Sequence, residues 1–133
     1  MSWTLGMTDV SVQSVGFWMT AAGAAFLLVT AARAVRAPAA FPTYFGLPLA
    51  NPGDIGFVRV YASRSIFIGL LAVALLVRRD LPVLTVFTLL AVPMPITDAI
   101  MVRRAGAGRA TVLRHSAVAV FLLATSFLLW RGI

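Results

Sequence analysis

Long apolar runs alternate with short polar links along this chain. The runs cover about Val12 to Val35, Phe57 to Val77, Leu81 to Val102 and Thr111 to Trp130, each near the roughly 20 residues that a helix needs to cross about 30 Å of hydrocarbon. One such run could be a buried helix of a soluble protein. Four in succession, joined by links that carry arginine, predict an all-α fold: a four-transmembrane-helix bundle with an interfacial loop over residues 37–54, forming a single membrane domain over residues 1–133. No internal repeat is visible, so the sequence lends no support to a transporter built from two halves.

The third run is the irregular one. Pro93-Met94-Pro95-Ile96-Thr97-Asp98 places two prolines in a helix interior, where each removes a backbone donor and crowds the preceding turn. The expectation is a kink at Pro93/Pro95 that frees the carbonyls of Leu89 and Ala91. The same stretch delivers a carboxylate into hydrocarbon, which costs roughly 2.5 to 3.5 kcal/mol even on a lenient scale, so Asp98 is expected to face the bundle interior and meet a partner.

Composition agrees with a lipid solvent. Of 133 residues, 61% are hydrophobic and 11% charged, far more apolar than a soluble domain. The net charge is +7, but the cations are arginines at the margins of apolar runs. They suit anionic lipid headgroups better than nucleic acid, which is not expected as a partner. Cysteine is absent, which removes disulfide and thiol chemistry. Met1 to Gln13 holds Asp9 and no Lys or Arg, so a cleavable leader is not expected.

Arginines also suggest an orientation. The first and third links hold Arg36, Arg103, Arg104 and Arg109, with Arg33 and Arg114 at their margins, against Arg78, Arg79 and Arg131 on the other side. The excess predicts both termini outside the cytoplasm of a bacterial cytoplasmic membrane, with Arg78-Arg79 pulling the other way.

The first link is distinctive. Phe41 to Leu49, which includes Tyr44 and Phe45, is apolar and aromatic but too broken by Pro and Gly to span. It reads as a lid across the bundle mouth or, equally, as a headgroup anchor. Asn51-Pro52-Gly53-Asp54 then forms a turn, and Asp54 is placed to accept hydrogen bonds from the first free N–H groups of the second helix.

That helix opens with Arg59, Tyr61, Ser63, Arg64 and Ser65. At 100° per residue the two arginines lie about 140° apart, so they are expected to have different roles. Arg59 is within about one turn of the helix start and can snorkel to the headgroups. Arg64 lies about 10 Å from that start and calls for an internal partner. Asp98 is about 7 Å inside the end of its helix and His115 about 6 Å inside the start of its own, so both share the level of Arg59 to Arg64. The stripe Phe87, Ala91, Met94 and Asp98 predicts an apolar pocket below the carboxylate.

Each member also has a structural explanation. Asp98 with Arg64 could be an interhelical ion pair that fixes packing. His115 could meet interfacial water beside Arg114, and Tyr61, like Trp130, could belong to an aromatic belt. Gly16, Thr20 and Ala24 look like a helix-packing face, which could accept a second copy in a homodimer.

Phe45-Gly46-Leu47-Pro48, then Asp54, Phe57 to Arg64 and Gly69, then Pro95 with Asp98, and His115 near the start of the fourth helix resemble a family of short four-helix membrane proteins of unknown function from bacteria and fungi, more distantly similar to DoxX-like proteins. The resemblance spans about Ser14 to Leu128 and implies a four-helix bundle in a membrane, with no settled activity. Some small membrane proteins of this kind resemble cyclases or isomerases of natural-product pathways.

Exclusions narrow the chemistry. One His, no Cys, no Glu and four scattered Asp make neither a zinc cluster nor a di-iron carboxylate site, so no metal is expected. No phosphate-binding loop, dinucleotide fingerprint or nucleophile elbow is present. An enzyme of this composition would need no cofactor and would work by proton transfer. Asp98, its acidity tuned by burial or by Arg64, would give or take the proton, while Arg59, Tyr61 and His115 polarise the substrate or stabilise an oxyanion. Phe87, Met94, Tyr44, Phe45 and Asp54 would line a site for a lipophilic molecule. Isomerisation, cyclisation and epoxide opening all fit. The alternatives are a small proton-coupled transporter, for which an intramembrane Asp is equally useful, and a non-catalytic membrane subunit.

Overall fold

A computed structural model describes residues 9–51 and 53–133; Met1 to Thr8 and Pro52 lie outside the described residues, so the expectation of an uncleaved N-terminus rests on sequence alone. The elements are α1 (Val15–Arg36), α2 (Phe41–Phe45), α3 (Ile55–Arg78), α4 (Leu81–Ala91), α5 (Pro93–Arg104) and α6 (Arg109–Trp130). With α4 and α5 counted as one rod, Val15–Arg36, Ile55–Arg78, Leu81–Arg104 and Arg109–Trp130 are each long and apolar enough to cross a membrane. The protein is an all-helical bundle of the integral-membrane type.

Local chemistry explains the boundaries. Ser14 caps α1 by accepting from the Phe17 N–H at 3.2 Å, so the helix starts three residues after the first apolar position, Val12. Asp80 caps α4 by accepting from the Val83 N–H at 3.1 Å, with Pro82 in the first turn, where its missing donor costs nothing. Asp54 occupies the N-cap position of α3 but makes no side-chain cap. Its ψ of 28° is turn geometry rather than the extended geometry that aims a capping side chain, and its carbonyl accepts from the Phe57 N–H instead, at 3.3 Å.

The prolines of the third span act mildly. Val92 keeps helical angles (φ −56°, ψ −42°) between α4 and α5, so the rod is interrupted in its hydrogen bonding more than redirected. The Leu89 carbonyl that Pro93 leaves without a donor accepts from the Val92 N–H at 3.2 Å, a tightened turn that satisfies one orphan acceptor.

Packing runs around a ring in the order α3, α1, α6, α4–α5. α1 presents Gly16, Thr20, Ala24, Ala31 and Ala34, and α3 presents Val58, Ala62, Ser65, Gly69, Ala72 and Leu76. Small residues let the two backbones approach: a Cβ on Gly69 would stand 2.7 Å from Leu28 Cδ2, and one on Gly16 would stand 2.9 Å from Leu129 Cδ2. The small-residue face of α1 is therefore buried within the chain, against α3 and α6.

The two ends of the bundle differ. At one, Val10, Leu76, Leu84 and Leu129 form a closed apolar cluster with Phe17, Ala21, Leu75 and Leu81 against it. Val10 is 3% exposed there, and its N–H donates to the Arg79 carbonyl at 2.8 Å. At the other end, where α3 makes little direct contact with α5, α2 fills the gap. Phe41 packs with Ala34, Val58 and Ala62, and Phe45, Leu49 and Tyr61 pack against them. Eight of the eleven arginines belong to this second end.

Candidate functional site

The second end is built on α2. Gly46, at φ 103°, terminates that short helix in the left-handed region, which glycine adopts without steric cost. A Cβ there would stand 2.6 Å from Thr111 Cγ2 and 3.2 Å from Val102 Cγ1, so the missing side chain is also what seats α2 against α5 and α6. The amides of Gly46 and Leu47 both donate to the Pro42 carbonyl, at 3.0 and 2.9 Å.

That turn leaves the last carbonyls of α2 without backbone donors, and α6 supplies them. Arg114 donates through Nη2 to the Tyr44 carbonyl, and more weakly to that of Phe45 at 3.4 Å. Its guanidinium lies 4.4 Å from the centre of the Tyr44 ring, with Arg33 at 5.4 Å. Cations at a helix C-terminus are favourable on both counts, through orphan acceptors and dipole.

His115 makes the neighbouring contact. It is 8% exposed; its Nε2 lies 3.0 Å from the Phe45 carbonyl, and its ring meets the Phe45 ring edge-on with centroids 4.7 Å apart. A carbonyl can only accept, so Nε2 carries a proton and donates it. Nδ1 faces Asp98 Oδ2 at 4.0 Å, beyond hydrogen-bonding distance but within strong electrostatic reach. The contact is attractive when the imidazole is protonated and Asp98 is a carboxylate.

Asp98 lies on the interior side of its rod, in the same angular sector as the buried residues Leu84, Thr88, Pro95 and Val102. Its side chain is nevertheless 34% exposed. Tyr61 stands on the α3 side, packed on Phe41 and Phe45 with centroids 5.1 and 5.4 Å away. The buried Ser65 lies one turn further along the same helix.

The structure thus gathers Asp98, His115, Tyr61 and Phe45. The remaining expected members lie elsewhere. Arg64 is exposed on the outer face of α3, and the one ion pair among the described residues joins Asp98 to His115. The expected Asp98–Arg64 partnership is replaced because Arg64 points away from the α1-facing stripe that carries Ala62, Ser65 and Gly69. Arg59 is likewise exposed, near the start of α3. Tyr44 is held on the rim by the two guanidiniums rather than against the carboxylate, and Asp54 is exposed in the link.

On the third span Phe87 is half-buried and Met94 is 42% exposed, since the interior sector passes through Pro95. The interior is not wholly apolar either: Ser126 donates to Thr88 Oγ1 at 3.0 Å about three turns further along. Two grooves lie apart from the carboxylate, one of about 450 Å³ at Ser63, Arg64, Phe67 and Ile68 and one of about 280 Å³ between α5 and α6. Among the described residues no three His, Asp or Glu side chains converge as a metal site would need.

Arg114 joins the site without belonging to any motif of the sequence. A signal existed for Arg114, because a glycine-terminated short helix leaves carbonyls that some donor must meet. None existed for the Thr88–Ser126 bond, which depends on how two rods are rotated.

No solved structure and no curated protein matches the chain. Residues 5–129 match the family described as Domain of unknown function (DUF4267), and with nearly all of its length so covered the chain belongs to that family.

Proposed function

We propose that Asp98 and His115 form a proton-transferring pair and that the protein is a cofactor-free acid–base catalyst, an isomerase or cyclase, for a lipophilic substrate. The observation that carries this is the half-exposed carboxyl on the interior of a membrane bundle, beside a buried imidazole whose other nitrogen is tied to the Phe45 carbonyl. That tie fixes the ring, so Nδ1 and Asp98 can exchange one proton through a single water bridging their 4.0 Å gap. Tyr61, on the α3 side, offers a hydroxyl to polarise a substrate oxygen. A molecule dissolved in the bilayer would reach the pair sideways between α3 and α5, with α2 closing the end of the bundle.

Proton movement at carbon tests this. Purified protein in detergent is incubated in D2O with a lipophilic cell extract, and products are followed by mass spectrometry for isomerised or deuterium-labelled species. Turnover that is lost in Asp98→Asn and reduced at least about tenfold in His115→Gln supports catalysis. Identical extracts after wild type and Asp98→Asn refute it. The proton-coupled carrier reading requires the converse: no change in detergent, but acidification in sealed vesicles that depends on Asp98.

A further inference from the structure

Arg64 remains unexplained by that site. It lies nine residues into α3, about 13 Å from the helix start at 1.5 Å per residue, on the face that the bundle leaves uncovered. Phe67, one turn further on, is 66% exposed on the same side. A guanidinium at this depth is expensive in hydrocarbon without an anionic or hydrogen-bonding partner. Among the described residues it has none: the single ion pair belongs to Asp98 and His115, and the arginine side chain that donates hydrogen bonds is Arg114.

The groove beside it has a polarity. Ser63 and Arg64 stand at its interfacial end, and Phe67 and Ile68 continue it toward the middle of the span. The Ser63 hydroxyl donates to the Val60 carbonyl at 2.9 Å, so the groove's available donor is the guanidinium. Helical side chains tilt toward the N-terminus, which for α3 is the arginine-rich end, so Arg64 reaches back toward headgroup level. A cation above an apolar trough running inward matches an anionic amphiphile seated head-up and tail-down.

We propose that this groove binds one anionic glycerophospholipid from the leaflet at the arginine-rich end, its phosphate on Arg64 and an acyl chain along Phe67 and Ile68. Charge complementarity argues for this occupant over a second copy of the chain. Two copies meeting on this face would bring two Arg64 guanidiniums together, with Asp98, the one carboxylate within the spans, committed to His115.

Native mass spectrometry of detergent-purified protein, titrated separately with dioleoyl phosphatidylglycerol and dioleoyl phosphatidylcholine, tests it. Wild type is expected to retain one phosphatidylglycerol with roughly fivefold preference, the worth of one arginine near an anionic surface. Arg64→Gln should lose the preference, Arg64→Lys should keep most of it, and Arg131→Gln at the opposite end should be unchanged. Equal retention of the two lipids by wild type, or an undiminished preference in Arg64→Gln, overturns the proposal; so does a dimer that excludes both lipids. The comparison of headgroups on wild type stands even if a variant does not fold.

Discussion

His115 and Phe45, 70 residues apart, are joined twice: the imidazole Nε2–H donates to the Phe45 carbonyl at 3.0 Å, and the two rings meet edge-on at 4.7 Å. The two links can be separated. His115→Phe keeps an aromatic ring in place but removes the donor from a carbonyl with little access to water. Unfolding in mixed micelles should show a loss of about 1–3 kcal/mol. His115→Gln, which can present an amide N–H, should recover part of it. Wild-type stability in His115→Phe would show that the hydrogen bond is not made.

Arg114 holds the same short helix by its Tyr44 and Phe45 carbonyls and by the Tyr44 ring. Charge-assisted hydrogen bonds contribute about 1.5 kcal/mol or more, so Arg114→Gln should let α2 open locally while the four long helices persist. Hydrogen exchange at the Gly46 and Leu47 amides should quicken by about tenfold or more. Exchange in the α1–α3 interface should not change.

Gly46→Ala meets two obstacles, a left-handed φ of 103° and a Cβ placed 2.6 Å from Thr111 Cγ2. The conformation alone costs about 1–2 kcal/mol, with overpacking added. Thr111→Ser removes the clashing methyl but not the backbone strain. The double variant should therefore regain only part of the stability lost by Gly46→Ala, measured by the same micelle unfolding.

Thr88 and Ser126 share a buried hydrogen bond between α4 and α6, 3.0 Å long. A double-mutant cycle with Thr88→Val and Ser126→Ala should give a coupling of about 0.6 kcal/mol, the usual size in membrane bundles, and not above about 1.7. Each hydroxyl has one proton: that of Thr88 reaches the Leu84 carbonyl, and that of Ser126 is shared between Thr88 Oγ1 and the Leu122 carbonyl of its own helix. A coupling near zero would mean that those local bonds carry the whole effect.

Much of the site was legible as depth. Helical rise is the same in any bundle, so residue number alone placed Asp98 and His115 at one level, and the structure brings them to 4.0 Å. Direction around each axis was not legible in the same way. Arg64 shares that level and, like Asp98, calls for a partner, yet it faces outward, since α3 turns Ala62, Ser65 and Gly69 toward α1. The stripe that predicts an interior Met94 lies one position away from the one that is buried. The burial of Pro95 rotates the rod enough to expose Met94.

Hydropathy along the chain determined that the solvent is lipid, that four helices cross it, and that most of the arginines gather at one end. Those properties sum over many residues and survive any local rearrangement. Only the tertiary structure decided which polar groups meet. The glycine at position 46 lets α2 sit against α5 and α6, α2 offers its last carbonyls to Arg114 and His115, and the bond to Phe45 fixes the His115 ring so that its other nitrogen faces Asp98. Each of those contacts depends on the rotation of one helix against its neighbours, which is set by side-chain packing between segments distant in sequence and leaves no periodic trace in any one of them.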